Sequence, residues 1–171
     1  NNTYSHGDLA DKTCQLAAGL AGLNLEPGSR VAVLAKNHPA FFHLFGAASA
    51  LGLCLVLINR RLSQEETQYI VQDTAPCVII CDSEMAGRAT EHMARTKGLE
   101  HMFIMDGPDE NLSNLHQDSL DFSCREPSLN APFVIIHTAA VQGKPRGAVL
   151  SEQNIILANL QVIHYFSITS D

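Results

Sequence analysis

Two cations flank a proline between two glycines in the stretch Gly143-Lys144-Pro145-Arg146-Gly147. A loop of this kind can turn its backbone N–H groups toward one point. Ammonium and guanidinium charge beside those donors suits an anion, above all a phosphate. The loop is entered from a β-branched and aromatic run, Pro132-Phe133-Val134-Ile135-Ile136-His137, through Thr138-Ala139-Ala140-Val141-Gln142. It is left by a second apolar run, Ala148-Val149-Leu150, ending in Ser151. The same pattern fits a surface hairpin with solvated cations, and spacing alone leaves both readings open.

Other reactive side chains are less patterned. Arg60 and Arg61 follow a strand-like run and read as a solvated pair, or as an ion pair with Glu65 or Glu66. The eight histidines show no metal-ligand spacing; His38 and His43, five apart, do not share a helix face. His137 reads as a strand-end residue with no orienting partner rather than as a base. The five cysteines, Cys14, Cys54, Cys77, Cys81 and Cys124, are odd in number and scattered, which fits reduced, buried thiols of a cytosolic protein without a metal site. No dinucleotide fingerprint, Walker loop or nucleophile elbow occurs.

The elements that must position these residues alternate. Ser5 with Asp8 starts a helix whose apolar face carries Leu9, Thr13, Leu16, Leu20 and Leu23. The turn Glu26-Pro27-Gly28-Ser29 leads to a strand over 30–35. Asn37-His38-Pro39 is expected to cap and open a helix over 40–51, which Gly52 ends before a strand over 53–58. A capping box, Ser63 with Glu66, starts a helix with Thr67, Ile70 and Val71 inward that stops before Pro76. A strand over 77–81, a helix over 83–96 and a strand over 101–105 follow. Residues 106–130 are polar and irregular, with one short helix expected near 112–120. A fifth strand covers 133–136, a further run covers 148–150, and Ser151 caps a last helix. Strand–helix alternation of this kind specifies an α/β domain with a mainly parallel sheet and helices on both faces. Ligands of such sheets gather at the carboxyl ends of the strands, and Thr138 falls just past one of them.

The chain has 171 residues, 46% of them hydrophobic and 17% charged, which supports one core-bearing α/β domain over residues 1–171. A formal net charge of −7 without a basic run argues against nucleic acid as a partner. The polar opening Asn1-Asn2-Thr3 shows no secretory pattern. The apolar stretch 40–58 is broken by His43, Gly46, Ser49 and Gly52 and reads as a buried helix and strand, not a membrane span.

The stretch from Thr138 to Gly147 resembles the phosphate loop of adenylate-forming (AMP-binding) enzymes, Thr-Ser-Gly-Thr-Thr-Gly-x-Pro-Lys-Gly. Thr138, Gly143, Pro145 and Gly147 match, and Arg146 replaces lysine with its charge kept. The likeness continues upstream through Thr3-Tyr4, Leu16-Ala17-Ala18-Gly19-Leu20, Pro27-Gly28-Ser29-Arg30-Val31-Ala32-Val33-Leu34 and Asn59-Arg60-Arg61-Leu62-Ser63. It is most like the amino-terminal part of an acyl-CoA synthetase or aryl-CoA ligase. The resemblance implies that the full-length parent activates a fatty or aryl carboxylate with ATP and Mg²⁺ and transfers it to CoA, in the cytoplasm. It implies a phosphate-binding set of Thr138, Ala139, Ala140, Val141, Gln142, Gly143, Lys144, Arg146 and Gly147. The remaining parts of the family's site, its carboxy-terminal domain included, are expected beyond residue 171, so the fragment alone carries no catalytic residue.

The loop departs from the family's pattern at four positions. Ala139, Ala140, Val141 and Gln142 stand where the family has Ser, Gly, Thr and Thr, which removes three hydroxyl donors. A positive φ at Ala140 costs about 1–2 kcal/mol relative to glycine. A non-catalytic relative acting as a scaffold or regulator is therefore the alternative, and an unrelated α/β binding module a third.

Overall fold

Alternate residues of each central strand face opposite sides, and both sides are apolar. This is the pattern of a sheet buried on both faces. The structure is a computed structural model and describes residues 3–116, 124–126, 128–138 and 144–168. Its elements run α1 (His6–Ala21), β1 (Arg30–Leu34), α2 (Ala40–Leu51), β2 (Cys54–Leu57), α3 (Gln64–Thr74), β3 (Val78–Cys81), α4 (Ala86–Arg95), β4 (His101–Ile104), β5 (Pro132–Thr138), β6 (Arg146–Ser151) and α5 (Glu152–Phe166). The six strands lie in the order β4-β3-β1-β2-β5-β6. All neighbours are parallel except β5 and β6, which form an antiparallel hairpin.

The two faces are distinct cores. Val31, Val33, Leu55, Val78 and Ile80 pack with Leu16 and Leu20 of α1 and Leu44 and Ala47 of α2. Ala32, Leu34, Val56, Ile79 and Cys81 pack with Ile70 and Val71 of α3 and Ala89 of α4. The α1–α2 contact is close because Gly46 has no side chain: a Cβ there would stand 2.5 Å from the Thr13 methyl.

Local signals set most boundaries. The Ser5–Asp8 and Ser63–Glu66 capping boxes form as the spacing predicts. Gly28 (φ +85°) and Gly52 (φ +66°) take the left-handed conformation at their turns. At α2 the sequence expectation needs correction. Asn37 does not cap; Pro39 occupies the N-cap position without a side-chain bond, and His38 Nδ1 accepts the Ala40 N–H at 3.2 Å. The segment 83–96 divides into a 3₁₀ turn, Ser83–Met85, and α4, because Asp82 accepts the Met85 N–H at 2.9 Å and tightens the first turn. The short helix expected near 112–120 is a 3₁₀ turn, Leu112–Leu115; residues 117–120 lie outside the described residues.

Cys54 and Cys81 are buried, Cys14 and Cys77 half-buried, and all described cysteines are free. Cys124 corrects the expectation of buried thiols, since it is exposed in the polar connection before β5. Helix α5 buries no residue, and Ile156, Leu157, Leu160, Val162 and Ile163 are each about half exposed. Among the described residues, no helix is long and apolar enough to cross a membrane.

Candidate functional site

Strand order creates the main concavity. β1 lies between β3 and β2. The chain leaving β1 feeds α2 on one face of the sheet, and the chain leaving β2 feeds α3 on the other. Loops that part in this way leave a crevice at the carboxyl ends of the two strands. That crevice is an open cleft of about 730 Å³, floored by Val33 and Leu57 and walled by Lys36, Asn59, Arg60 and Arg61. Among the described residues, no carboxylate lines it.

Two of the cleft's three cations, Lys36 and Arg60, are held by acids outside its lining. Lys36 Nζ stands 3.2 Å from Asp106 Oδ2 and 3.6 Å from Glu84 Oε1. Arg60 pairs with Glu84. This corrects the sequence expectation of Glu65 or Glu66, which lie in the first turn of α3, where Glu66 bonds the Ser63 N–H instead. The Ser83 N–H, at 2.7 Å, and Lys36 hold the Asp106 carboxyl below its usual range. Asp106 in turn raises Lys36 above the ordinary lysine value. Asp82 accepts the Lys36 N–H at 2.7 Å and so joins the β1 and β3 loops. Arg88 of α4 donates to the Leu62 carbonyl at 2.8 Å, which ties down the loop after β2. Arg61 is exposed, and its backbone N–H donates to Asn59 Oδ1 at 3.0 Å. No residue spacing announces this cleft, because it arises from a strand order.

The described arms of the β5–β6 hairpin reach the same rim as the cleft. Leu57 is in register with Ile136, so the chains leaving β2 and β5 emerge side by side on one rim. Thr138 is the last residue of β5, paired with Arg146, rather than the first loop residue. Its hydroxyl faces the Arg146 carbonyl at 3.5 Å. Arg146 and Gly147 belong to β6, not to the turn, since ladder pairing carries the apolar run of β6 two residues back. Thr138, Lys144, Arg146 and Gly147 are all exposed. Ala139, Ala140, Val141, Gln142 and Gly143 lie outside the described residues.

Three residues of this hairpin, His137, Gly147 and Lys144, have tertiary roles that the sequence did not disclose. His137 is not without a partner: its Nε2 lies 3.4 Å from Asp73 Oδ2 on α3. Gly147 pairs directly with His137, and a Cβ there would sit 3.1 Å from the imidazole and 3.0 Å from Ile135. The Lys144 ammonium stands 4.9 Å over the ring of Tyr69, one turn before Asp73 on α3. At that distance the ring quadrupole attracts the cation.

His92 is the centre of a buried polar network between α3 and α4. Its Nδ1 is 2.7 Å from Gln68 Oε1 and its Nε2 3.0 Å from Thr67 Oγ1. Among the described residues, no group of three His, Cys, Asp or Glu is placed to hold a metal.

Comparison with known proteins places these features in a family context. The model of the family described as "AMP-binding enzyme" matches residues 1–171. A feruloyl-CoA synthase of Amycolatopsis is 27% identical over 171 residues, covering 98% of this chain and 32% of that protein. A 2-succinylbenzoate–CoA ligase of Bacillus pumilus is 28% identical over 145 residues, covering 84% of this chain and 27% of that protein. A solved Rhodopseudomonas palustris chain described as a long-chain-fatty-acid CoA ligase superposes with a TM-score of 0.89 at 29% identity, over 98% of this chain and 43% of that one. The chain thus spans about a third of the length of the curated relatives it matches.

Proposed function

The chain belongs to the AMP-binding enzyme family, and on that premise we propose that its full-length protein is an ATP-dependent carboxylate–CoA ligase. One observation carries the reading. The family match spans the whole chain, and the segment that resembles the family's phosphate loop connects β5 to β6, whose described ends lie on the same rim as a cleft walled by three cations.

The reaction has two steps. A carboxylate oxygen bonds to the α-phosphorus of ATP as the bridge to the β-phosphate breaks, which releases pyrophosphate. The CoA thiol then bonds to the acyl carbon, AMP leaves with the electron pair, and the thiol proton goes to solvent or a base. Each step builds negative charge on phosphate oxygens. The protein's task is to offset that charge with fixed donors. Thr138 Oγ1, the Lys144 ammonium and the Arg146 guanidinium are the described groups of the hairpin suited to the β- and γ-phosphates. Ala139, Ala140, Val141, Gln142, Gly143 and Gly147 offer backbone N–H groups. Mg²⁺ arriving with the nucleotide's phosphates would supply further positive charge there. The curated relatives named above are aryl-CoA ligases and the solved chain a long-chain-fatty-acid one, so the carboxylate is an aryl or a fatty acid.

The four departures at Ala139 to Gln142 favour a second reading, a relative with weakened or lost nucleotide binding. Calorimetric titration of Mg²⁺–ATP into the full-length protein and into Ala140→Gly separates the two. The ligase reading expects measurable binding that tightens about five- to thirtyfold in the glycine variant, the 1–2 kcal/mol of relieved strain expressed as affinity. Absence of binding in both proteins overturns it. Residues 1–171 alone, mixed with Mg²⁺–ATP and carboxylates, are expected to release no pyrophosphate.

A further inference from the structure

Helix α3 touches the hairpin at two points, and both contacts fall beside the turn. Tyr69 and Asp73 are four residues apart, so they share one face of α3. Asp73 faces His137, one residue before Thr138, and Tyr69 faces Lys144, two residues before Arg146. One rigid helix therefore grips the incoming and the outgoing arm of the same connection. Gly147 belongs to the arrangement, because a side chain there would press on the His137 ring that reaches Asp73. The His137 side chain is 2% exposed, and its Nδ1 has no hydrogen-bond partner among the described residues. The Asp73 contact engages the ring's other nitrogen.

We propose that Tyr69 and Asp73 are positioning residues: they hold Lys144 and His137 in place at the two arms of the phosphate-binding turn before nucleotide arrives. Neither touches the nucleotide. Their effect is to lower the ordering cost of binding, since a cation held by an aromatic ring starts from fewer conformations than a free lysine chain. The inference rests on the ligase reading for what the turn binds. The two tethers themselves are independent of that reading.

The test uses Tyr69→Leu, Tyr69→Phe and Asp73→Asn in the full-length protein, with two readouts. Carbon–proton NMR of the Lys144 ε-methylene reports the ring directly. An upfield ring-current shift is expected in the parent and in Tyr69→Phe, with its loss in Tyr69→Leu. Mg²⁺–ATP titration reports the consequence. About two- to fivefold weaker binding is expected in Tyr69→Leu, with rescue in Tyr69→Phe, from the ordinary strength of an exposed cation–π contact. Asp73→Asn is expected to weaken binding while leaving the Lys144 shift in place. If the parent lacks the ring-current shift, or if Tyr69→Leu binds ATP like the parent, the proposal is overturned and the ligase reading stands. If the parent shows the shift but binds no ATP, the ligase reading fails and removes the positioning role with it. A folding defect in Tyr69→Leu is recognised by its urea midpoint, and Asp73→Asn then carries the test.

Discussion

Gly19 stands in the last turn of α1, where alanine should be the better helix former by up to about 1 kcal/mol. The tertiary structure reverses that sign. A Cβ at Gly19 would lie 2.9 Å from the Leu115 Cα and closer still to the Leu115 carbonyl carbon and oxygen. The obstacle is backbone, which cannot swing aside as a side-chain tip can. To make room, the turn Leu112–Leu115 must retreat by more than an ångström, and it is anchored by Leu112 and Leu115, which are 4% and 7% exposed. Overpacking of this kind costs about 1–3 kcal/mol, and partial exposure of two leucines adds a comparable amount. After the helix-propensity gain, Gly19→Ala should destabilise the chain by about 2–4 kcal/mol, which lowers the Tm by about 4–16 °C. Gly87 is the matched control: it also lies in a helix, but a Cβ there meets nothing within 4 Å. Gly87→Ala should leave stability unchanged or raise it by up to about 1 kcal/mol. Thermal and urea unfolding of the two variants decides the matter. A Gly19→Ala protein that melts at or above the parent would refute the reasoning.

Three further outcomes follow from the same physics. Burial holds the His43, His92 and His116 imidazoles below their ordinary value of 6.5, with Lys12, Arg88 and Lys12, respectively, as the next cause. The unfolded chain then takes up protons before the folded one does, so stability should fall as pH drops below about 6.5. The urea midpoint is expected to be lower at pH 5.5 than at pH 7.5, before the lowered carboxyls of Asp8, Glu66 and Asp106 begin to protonate; an unchanged midpoint contradicts this. Burial pushes the Cys81 thiol up to about 12, whereas Cys124 is exposed, so iodoacetamide at pH 8 should label Cys124 long before Cys81, as peptide mass mapping would show. Ala75 ends α3 in the left-handed region at φ 42°, with its carbonyl accepting from Arg30 at 3.1 Å. Ala75→Gly should relieve that strain and stabilise by about 0.5–1 kcal/mol, read as a higher urea midpoint.

The sequence by itself determined the elements and their alternation. Ser5 with Asp8 and Ser63 with Glu66 act within three residues, and Gly28 and Gly52 act at single positions, so their signals survive without a fold around them. Alternating helices and strands then required a mainly parallel sheet, whereas the antiparallel pairing of β6 on β5 came with the fold. The chain could not show which distant residues meet. Arg60 finds Glu84 across 24 residues and His137 finds Asp73 across 64, and both meetings depend on the strand order. Likewise the cleft exists because β1 sits between β3 and β2 with α2 and α3 departing to opposite faces. Capping and turn signals reach three or four residues, whereas the pairing of strands is settled by burial summed over the whole sheet.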